Sequence, residues 1–199
     1  MSYRGTTVAR FLEELSSGAA TPGGGCAAAL SGALAAGLVA MVARNTGGLD
    51  EIVAEADGLR CELEELVDAD AAAFGAVMAA FRLPKETVEQ KTERSAAIQA
   101  GYKAAVEAPL LVCRRALRVL ELAGSVAELG NPNAISDVGV AALLAASALE
   151  GAALNVEINL GSIKDEIYRA EAGSAVQSAR DEGGKLRDAA LERVVEALR

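Results

Sequence analysis

The chain has 199 residues, of which 52% are hydrophobic and only 3% aromatic, and it contains no tryptophan. A chain of this length buries roughly 70% of its unfolded surface. Residues 1–199 are therefore expected to form a single domain whose core is built from Ala, Leu, Val and Gly. The net charge of -9 and the lack of a basic run argue against nucleic acid as a partner.

The chain contains no histidine, and its three cysteines, Cys26, Cys61 and Cys113, lie far apart. These facts exclude the usual Cys/His zinc sites and the Ser-His-Asp and Cys-His arrangements of catalytic residues, so no metal is expected. An odd number of scattered cysteines without a signal peptide predicts a reducing environment and a cytoplasmic location.

Hydrophobic spacing and loop residues predict helices along the whole chain, and no segment has the alternating pattern of a strand. The predicted helices are residues 7–15, 24–45 and 50–81, a helix with an apolar seam from Ile98 to Ala123, and residues 136–160 and 165–198. The sequence therefore predicts an all-α bundle of long antiparallel helices.

The predicted helix at residues 24–45 is rich in Ala and Gly. Small residues four apart share one of its faces, where another helix can approach closely: Gly25, Ala29, Ala33 and Gly37. The 18 uncharged residues at 26–43 nearly reach the length of a membrane span. They lack the large apolar residues and the flanking aromatic or basic belts of such a span, so we expect a buried helix and no membrane contact.

Asp70 is the clearest polar departure from the apolar pattern. The 4-3 spacing of the helix at residues 50–81 places it on the seam, between Leu66 and Ala73, whereas Asp68 points about 200° around the helix. Burying an unpaired carboxylate costs free energy and raises its pKa. Asp70 is therefore a candidate acid or base. The alternative is a structural carboxylate that bonds a neighbouring helix or faces a solvent-filled gap.

The nearly all-apolar helix at residues 136–160 contains three further candidate polar residues, Asp137, Asn155 and Asn159. Asp137 and Asn155 share a face but lie about 27 Å apart along a straight helix, so they cannot hold the same small group. A functional role would require them to bind two ends of a long ligand or to belong to two different sites across a symmetric dimer. Capping of the helix N-terminus together with Ser136 explains Asp137 equally well. Asn155 and Asn159 need hydrogen-bond partners in such an apolar helix.

Two smaller signals lie in the predicted loops. Pro22-Gly23-Gly24-Gly25 opens a helix, so its backbone N–H groups are suited to an anion or a polar ring, although a plain turn explains it as well. Arg82 and Lys85 lie at the break after residue 81 and supply cationic groups for an anionic ligand, or are solvated loop charges.

Several unusual segments occur together over residues 8–165. They are Thr21-Pro-Gly-Gly-Gly-Cys-Ala-Ala-Ala, Val67-Asp-Ala-Asp-Ala-Ala-Ala-Phe74, Arg82-Leu-Pro-Lys85, Ser136-Asp137 and Asn155-Val-Glu-Ile-Asn-Leu160. In this order the segments resemble the cyclodeaminase/cyclohydrolase family, which includes the C-terminal half of formiminotransferase-cyclodeaminase and stand-alone methenyltetrahydrofolate cyclohydrolases. Cys26 departs from the family pattern, which often has Ser at that position.

The resemblance implies an all-helical homodimer that acts on the one-carbon bridge of tetrahydrofolate. The implied reaction is hydrolysis of 5,10-methenyltetrahydrofolate to the 10-formyl compound, release of ammonia from 5-formiminotetrahydrofolate, or both, with no cofactor beyond the folate substrate. It also implies that Asp70 is the catalytic carboxylate, in agreement with the seam argument.

The other implied roles divide between catalysis and substrate binding. Lys85 is expected to keep Asp70 ionised, and Arg82 to meet the glutamate carboxylates of the ligand. Asn155 and Asn159 are expected to bond the pterin ring. The remaining predicted substrate-binding residues are Gly24, Gly25 and Asp137.

A non-catalytic alternative remains open at this stage. In that hypothesis the protein is a helical folate-binding protein or a dimeric scaffold, and its polar seam residues only set the register of the helices, as a buried Asn does in coiled coils.

Overall fold

The computed structural model describes residues 2–199, and within that range it contains helices and turns but no strand. The expectation of an all-helical protein is confirmed. The helices are α1 (Val8–Ser16), α2 (Gly24–Thr46), α3 (Asp50–Phe81), α4 (Val88–Leu129), α5 (Ile135–Leu160) and α6 (Glu166–Ala197). A short 3-10 turn, Pro132–Ala134, precedes α5.

The ends of the helices follow local chemistry that the sequence displays. The Thr7 side chain accepts a hydrogen bond from the Arg10 N–H at the start of α1. Thr87 and Gln90 form a reciprocal capping box at the start of α4. The five helices whose two ends were predicted differ from the observed ones by at most one residue at each end.

Helices that are neighbours in the chain from α2 to α6 pack against each other and run in opposite directions. Contacts near both ends of each pair establish this. The pairs are Gly25/Asp70 and Arg44/Asp57 for α2 and α3, Val77/Gly101 and Glu55/Arg118 for α3 and α4, Ala105/Asn159 and Cys113/Leu149 for α4 and α5, and Glu157/Arg180 and Gly139/Val194 for α5 and α6.

Buried residues from all six helices form one contiguous core. α2 lies against α3, α4 and α5, and small residues let it come close, since Gly32 meets the methyl groups of Leu63 and Ala28 meets Gly151. Two segments, Gly24–Thr46 and Pro132–Leu160, are long and apolar enough to cross a membrane by length and composition alone. Core helices of soluble proteins satisfy the same criterion, so this observation is weak evidence for a membrane span.

Candidate active site

A cavity of about 370 Å³ opens where the first turn of α2 meets the middle of α3 and the C-terminal half of α5. A solvent-accessible cleft of this size is typical of a small-molecule site. Its lining residues are Ala20, Thr21, Gly23, Gly24, Gly25, Asp70, Phe74, Val77, Tyr102, Ala105, Asn155, Ile158, Asn159 and Ser162. Five of the eight residues predicted for the site, Gly24, Gly25, Asp70, Asn155 and Asn159, are therefore brought together.

Asp70 is half-buried in the wall of this cavity, as its seam position predicted. Its carboxylate accepts a hydrogen bond from the Cys26 thiol, with 3.2 Å between Sγ and Oδ2. Burial raises the pKa of Asp70 above its usual range, and the polar interactions with the thiol and the backbone N–H of Cys26 oppose that shift. Asp70 is thus a carboxyl group poised to exchange a proton.

Gly25 makes this placement of Asp70 possible. A Cβ at Gly25 would lie 2.7 Å from Asp70 Oδ2 and even closer to Oδ1, so any side chain there would displace the carboxylate. Gly24 is less constrained, because a Cβ there would meet Asn155 Nδ2 at an ordinary 3.6 Å. Glycine at position 25 therefore serves to bring the carboxylate onto the first turn of α2.

Asp68 lies on another side of α3 and has a different structural role. It accepts hydrogen bonds from Ser2 Oγ at 2.6 Å and from the Tyr3 backbone N–H at 2.5 Å. Asp68 therefore holds the N-terminal segment against α3, and of the two carboxylates only Asp70 lines the cavity.

Asn155 and Asn159 both use their amide nitrogens on backbone carbonyls. Asn155 Nδ2 donates to Gly151 O at 2.8 Å, and Asn159 Nδ2 donates to Asn155 O at 2.9 Å and to Ala105 O at 3.1 Å. These bonds fix both side chains and leave their Oδ1 atoms as acceptors for a donor on a ligand. The need for partners that the sequence indicated is met by the helix backbone.

An apolar and aromatic wall completes the cavity, and sequence reasoning gave it no role. It consists of Phe74, Val77, Tyr102 and Ile158. The spacing held a usable signal, because Phe74 lies one turn after Asp70 and so shares its face of α3. Aromatic side chains in a chain with only 3% of them are suited to stack on a flat ring.

Arg82, Lys85 and Asp137 are not brought to the cavity within one chain. Arg82 and Lys85 are exposed in the turn after α3 ends at Phe81, which is about 16 Å along the helix from Asp70. Asp137 lies in the first turn of α5, at the opposite end of that helix from Asn155. No side chain caps α5 at its N-cap, Ala134, so the capping bond expected there is also missing. The roles predicted for these three residues stay predictions.

Asp70 is the one charged group among the described lining residues, which include no Lys or Arg. The lining also contains two amide oxygens free to accept. Donors nearby are the hydroxyl groups of Thr21, Tyr102 and Ser162 and the backbone N–H groups at the start of α2. Such a cavity favours a cationic or donor-rich flat ligand and disfavours an anion beside Asp70.

Comparisons with known proteins agree with this geometry. A family model described as formiminotransferase-cyclodeaminase matches residues 7–178. The chain belongs to the formiminotransferase-cyclodeaminase family. The resemblance seen in the sequence is confirmed, and the match also reaches into α6.

Three relatives of the chain differ in length and name. It is 42% identical to a protein named methenyltetrahydrofolate cyclohydrolase from Methylorubrum extorquens, over 94% of this chain and 95% of that protein. It is 32% identical to formimidoyltransferase-cyclodeaminase from Rattus norvegicus, covering 86% of this chain but only 34% of that longer protein. The crystal structure of formiminotetrahydrofolate cyclodeaminase from Thermotoga maritima superposes with a TM-score of 0.88 at 25% identity, over 97% of this chain and 98% of that one.

Proposed function

We propose that this protein is a tetrahydrofolate one-carbon enzyme. It hydrolyses 5,10-methenyltetrahydrofolate to 10-formyltetrahydrofolate, or releases ammonia from 5-formiminotetrahydrofolate to form the methenyl bridge, or both. The full-length relative named methenyltetrahydrofolate cyclohydrolase supports hydrolysis as the first activity to test.

One observation carries the proposal: a half-buried carboxylate, without a Lys or Arg partner, in a cavity that also presents two amide oxygens and two aromatic rings. The methenyl bridge is a delocalised cation in a flat ring system. An anionic Asp70 stabilises that cation in a partly desolvated site, where a charge interaction is stronger than in water.

The hydrolysis follows from the position of Asp70. Ionised Asp70 takes a proton from a water molecule as its oxygen bonds to the bridge carbon, which converts the cation to a neutral carbinolamine. Protonated Asp70 then gives that proton to N5 as the bond between N5 and the carbon breaks, and the hydroxyl proton leaves to solvent. The net products are the 10-formyl compound and one proton, so the chemistry needs no metal or additional cofactor.

The ammonia-releasing reaction uses the same group. The formimino group reacts in its protonated, amidinium form. N10 attacks the formimino carbon, Asp70 accepts the N10 proton, and it returns that proton to the resulting amino group, so that ammonia leaves and the positive charge remains on the methenyl bridge. A carboxyl group whose pKa burial has raised is suited to this exchange, because it accepts and releases protons closer to neutral pH than an exposed aspartate does.

Substrate binding follows from the rest of the lining. Asn155 and Asn159 accept hydrogen bonds from the N–H groups of the pterin ring, and Phe74 and Tyr102 contact the flat rings. Gly24 and Gly25 line the cavity at the start of α2, where their backbone contacts the ligand. Arg82 and Lys85 can contact the ligand only if the loop after α3 moves, or if the loop of a partner subunit brings these two residues to the cavity.

The active form is a homodimer that pairs through α5 and α2. Apolar side chains that are at least 47% exposed follow one face of α5 at helical spacing, and a further one lies on the adjacent α2: Val140, Leu143, Leu154 and Ile158 on α5, and Leu34 on α2. Ile158 also lines the cavity, so the partner subunit lies beside the site. We expect a cytoplasmic protein without membrane or nucleic-acid partners.

A spectrophotometric assay with each purified folate tests the proposal. We expect loss of the methenyl absorbance with the cyclohydrolase substrate, appearance of that absorbance with the formimino substrate, or both. Asp70→Asn should remove either activity while the helical circular dichroism signal persists. Lack of turnover of both compounds by the folded wild-type protein contradicts the proposed function.

A further inference from the structure

The Cys26 thiol lies behind the Asp70 carboxylate, on the side away from the cavity. Cys26 is fully buried, with 0% exposure, and it is absent from the cavity lining. Its Sγ lies 3.2 Å from Asp70 Oδ2 and 3.4 Å from the Val67 backbone oxygen. Cys26 therefore contacts the proposed catalytic group without reaching the ligand.

We propose that Cys26 is a positioning residue for Asp70: its thiol donates a hydrogen bond that holds Oδ2 in place and favours the ionised carboxylate. The activity part of this inference rests on the proposed function, whereas the hydrogen bond itself does not. A thiol is a weaker donor than a hydroxyl group, so cysteine at position 26 stabilises the ionised form of Asp70 less than serine would.

The thiol keeps its proton at neutral pH. The pKa of Cys26 is raised to about 12, chiefly by burial and also by the neighbouring Asp70 charge, while a backbone hydrogen bond at Gly23 opposes the shift. A protonated thiol donates, and it has one proton for two possible acceptors. The ionised carboxylate is both the closer and the stronger acceptor, so Asp70 receives the bond in preference to Val67.

Few other titratable groups lie close enough to Asp70 to influence its ionisation. The titratable side chains around the carboxylate are Cys26 from α2 and Tyr102 from α4, and α5 contributes only the neutral Asn155 and Asn159 to the lining. On α3 itself, Asp68 is held by the N-terminal segment. The Cys26 contribution is therefore expected to be visible in the titration of Asp70.

Two substitutions separate positioning from packing. Cys26→Ala removes the donor and should raise the pKa of Asp70, whereas Cys26→Ser supplies a stronger donor and should lower it. In the folate assay, Cys26→Ala should reduce kcat/KM by about 2- to 10-fold on the acid limb and by less on the plateau. Cys26→Ser should restore or extend the acid limb.

Cys113 provides the matched control. It is 2% exposed, and its thiol contacts the Leu149 backbone oxygen at 3.5 Å between α4 and α5, outside the cavity lining. Cys113→Ala removes a buried thiol of the same kind and should leave the shape of the pH profile unchanged. If kcat/KM falls equally in Cys26→Ala and Cys113→Ala, and by the same factor at every pH, the effect is one of packing alone and the proposal is overturned.

A readout independent of activity is the infrared S–H stretching band. The band of Cys26 is identified by subtracting the spectrum of Cys26→Ser, and it should shift to lower frequency as Asp70 ionises and stay fixed over pH in Asp70→Asn. A Cys26 band insensitive to both pH and Asp70→Asn shows that the thiol bonds Val67 and overturns the proposal. This measurement decides the point even if the protein turns over neither folate.

Discussion

Asp70 and Gly25 are in direct contact: the carboxylate of α3 occupies the space where any other residue at position 25 would place its Cβ, 2.7 Å from Oδ2. The first turn of α2 and the middle of α3 thus meet at a point where one helix has no side chain and the other has a charge. Because Gly25 has no Cβ, the Asp70 carboxylate can lie against the first turn of α2.

The first prediction concerns this contact. Gly25→Ala should reduce kcat/KM by roughly 100-fold or more, because the new methyl group displaces Asp70 from the cavity wall. Steady-state assays with methenyltetrahydrofolate measure it. Gly58→Ala is the matched control, since a Cβ at Gly58 of α3 meets nothing within 4 Å and alanine favours helix. Equal activity of the two variants contradicts the proposed constraint.

The second prediction concerns pH and stability in Asp70→Asn. Burial raises the pKa of Asp70, so the folded protein binds the Asp70 proton more tightly than the unfolded chain does. The free energy of unfolding therefore declines as pH rises from the ordinary aspartate pKa of 3.8 through the higher pKa of the folded state. Asparagine lacks this penalty and should be more stable near neutral pH by on the order of 1 kcal/mol, a modest value because Asp70 is only half-buried.

The difference in free energy of unfolding between Asp70→Asn and the wild type should therefore change with pH in one direction. The stability gain should be present at neutral pH and disappear on acidification, where wild-type Asp70 is protonated and neutral. Thermal unfolding of both proteins over a pH series measures it. A gain that grows toward acidic pH would show that burial does not raise this pKa.

The third prediction concerns substrate binding by α5. Asn155→Ala should lower kcat/KM about 10-fold, mainly through a higher KM, because an acceptor for the ligand is lost while Asp70 stays in place. Asn133→Ala, in the exposed turn before α5, should change neither constant. A loss confined to kcat would assign Asn155 to the chemical step.

The fourth prediction concerns the proposed dimer. Leu143→Glu places a charge on the exposed apolar face of α5 and should weaken self-association by at least about 100-fold, as measured by sedimentation velocity over a concentration series. Ile167→Glu on α6 changes a side chain that is even more exposed, at 73%, and should leave association unchanged. A wild-type protein that sediments as a monomer at all concentrations rules out this assembly.

The sequence alone determined the helices and the direction in which Asp70 points. Hydrophobic periodicity fixes the angle of each residue about its own helix axis, which is why Asp70 was distinguished from Asp68. Glycines, prolines and capping residues fixed the helix ends for similarly local reasons, since their effects act within one turn.

Only the tertiary structure decided which side chains meet across helices. Periodicity does not give the axial offset between two helices, and that offset places Cys26 behind Asp70, aligns Phe74 with Tyr102 around one cavity, and leaves Lys85 outside it. The offset depends on close packing at small residues such as Gly25 and is a property of helix pairs rather than of single helices.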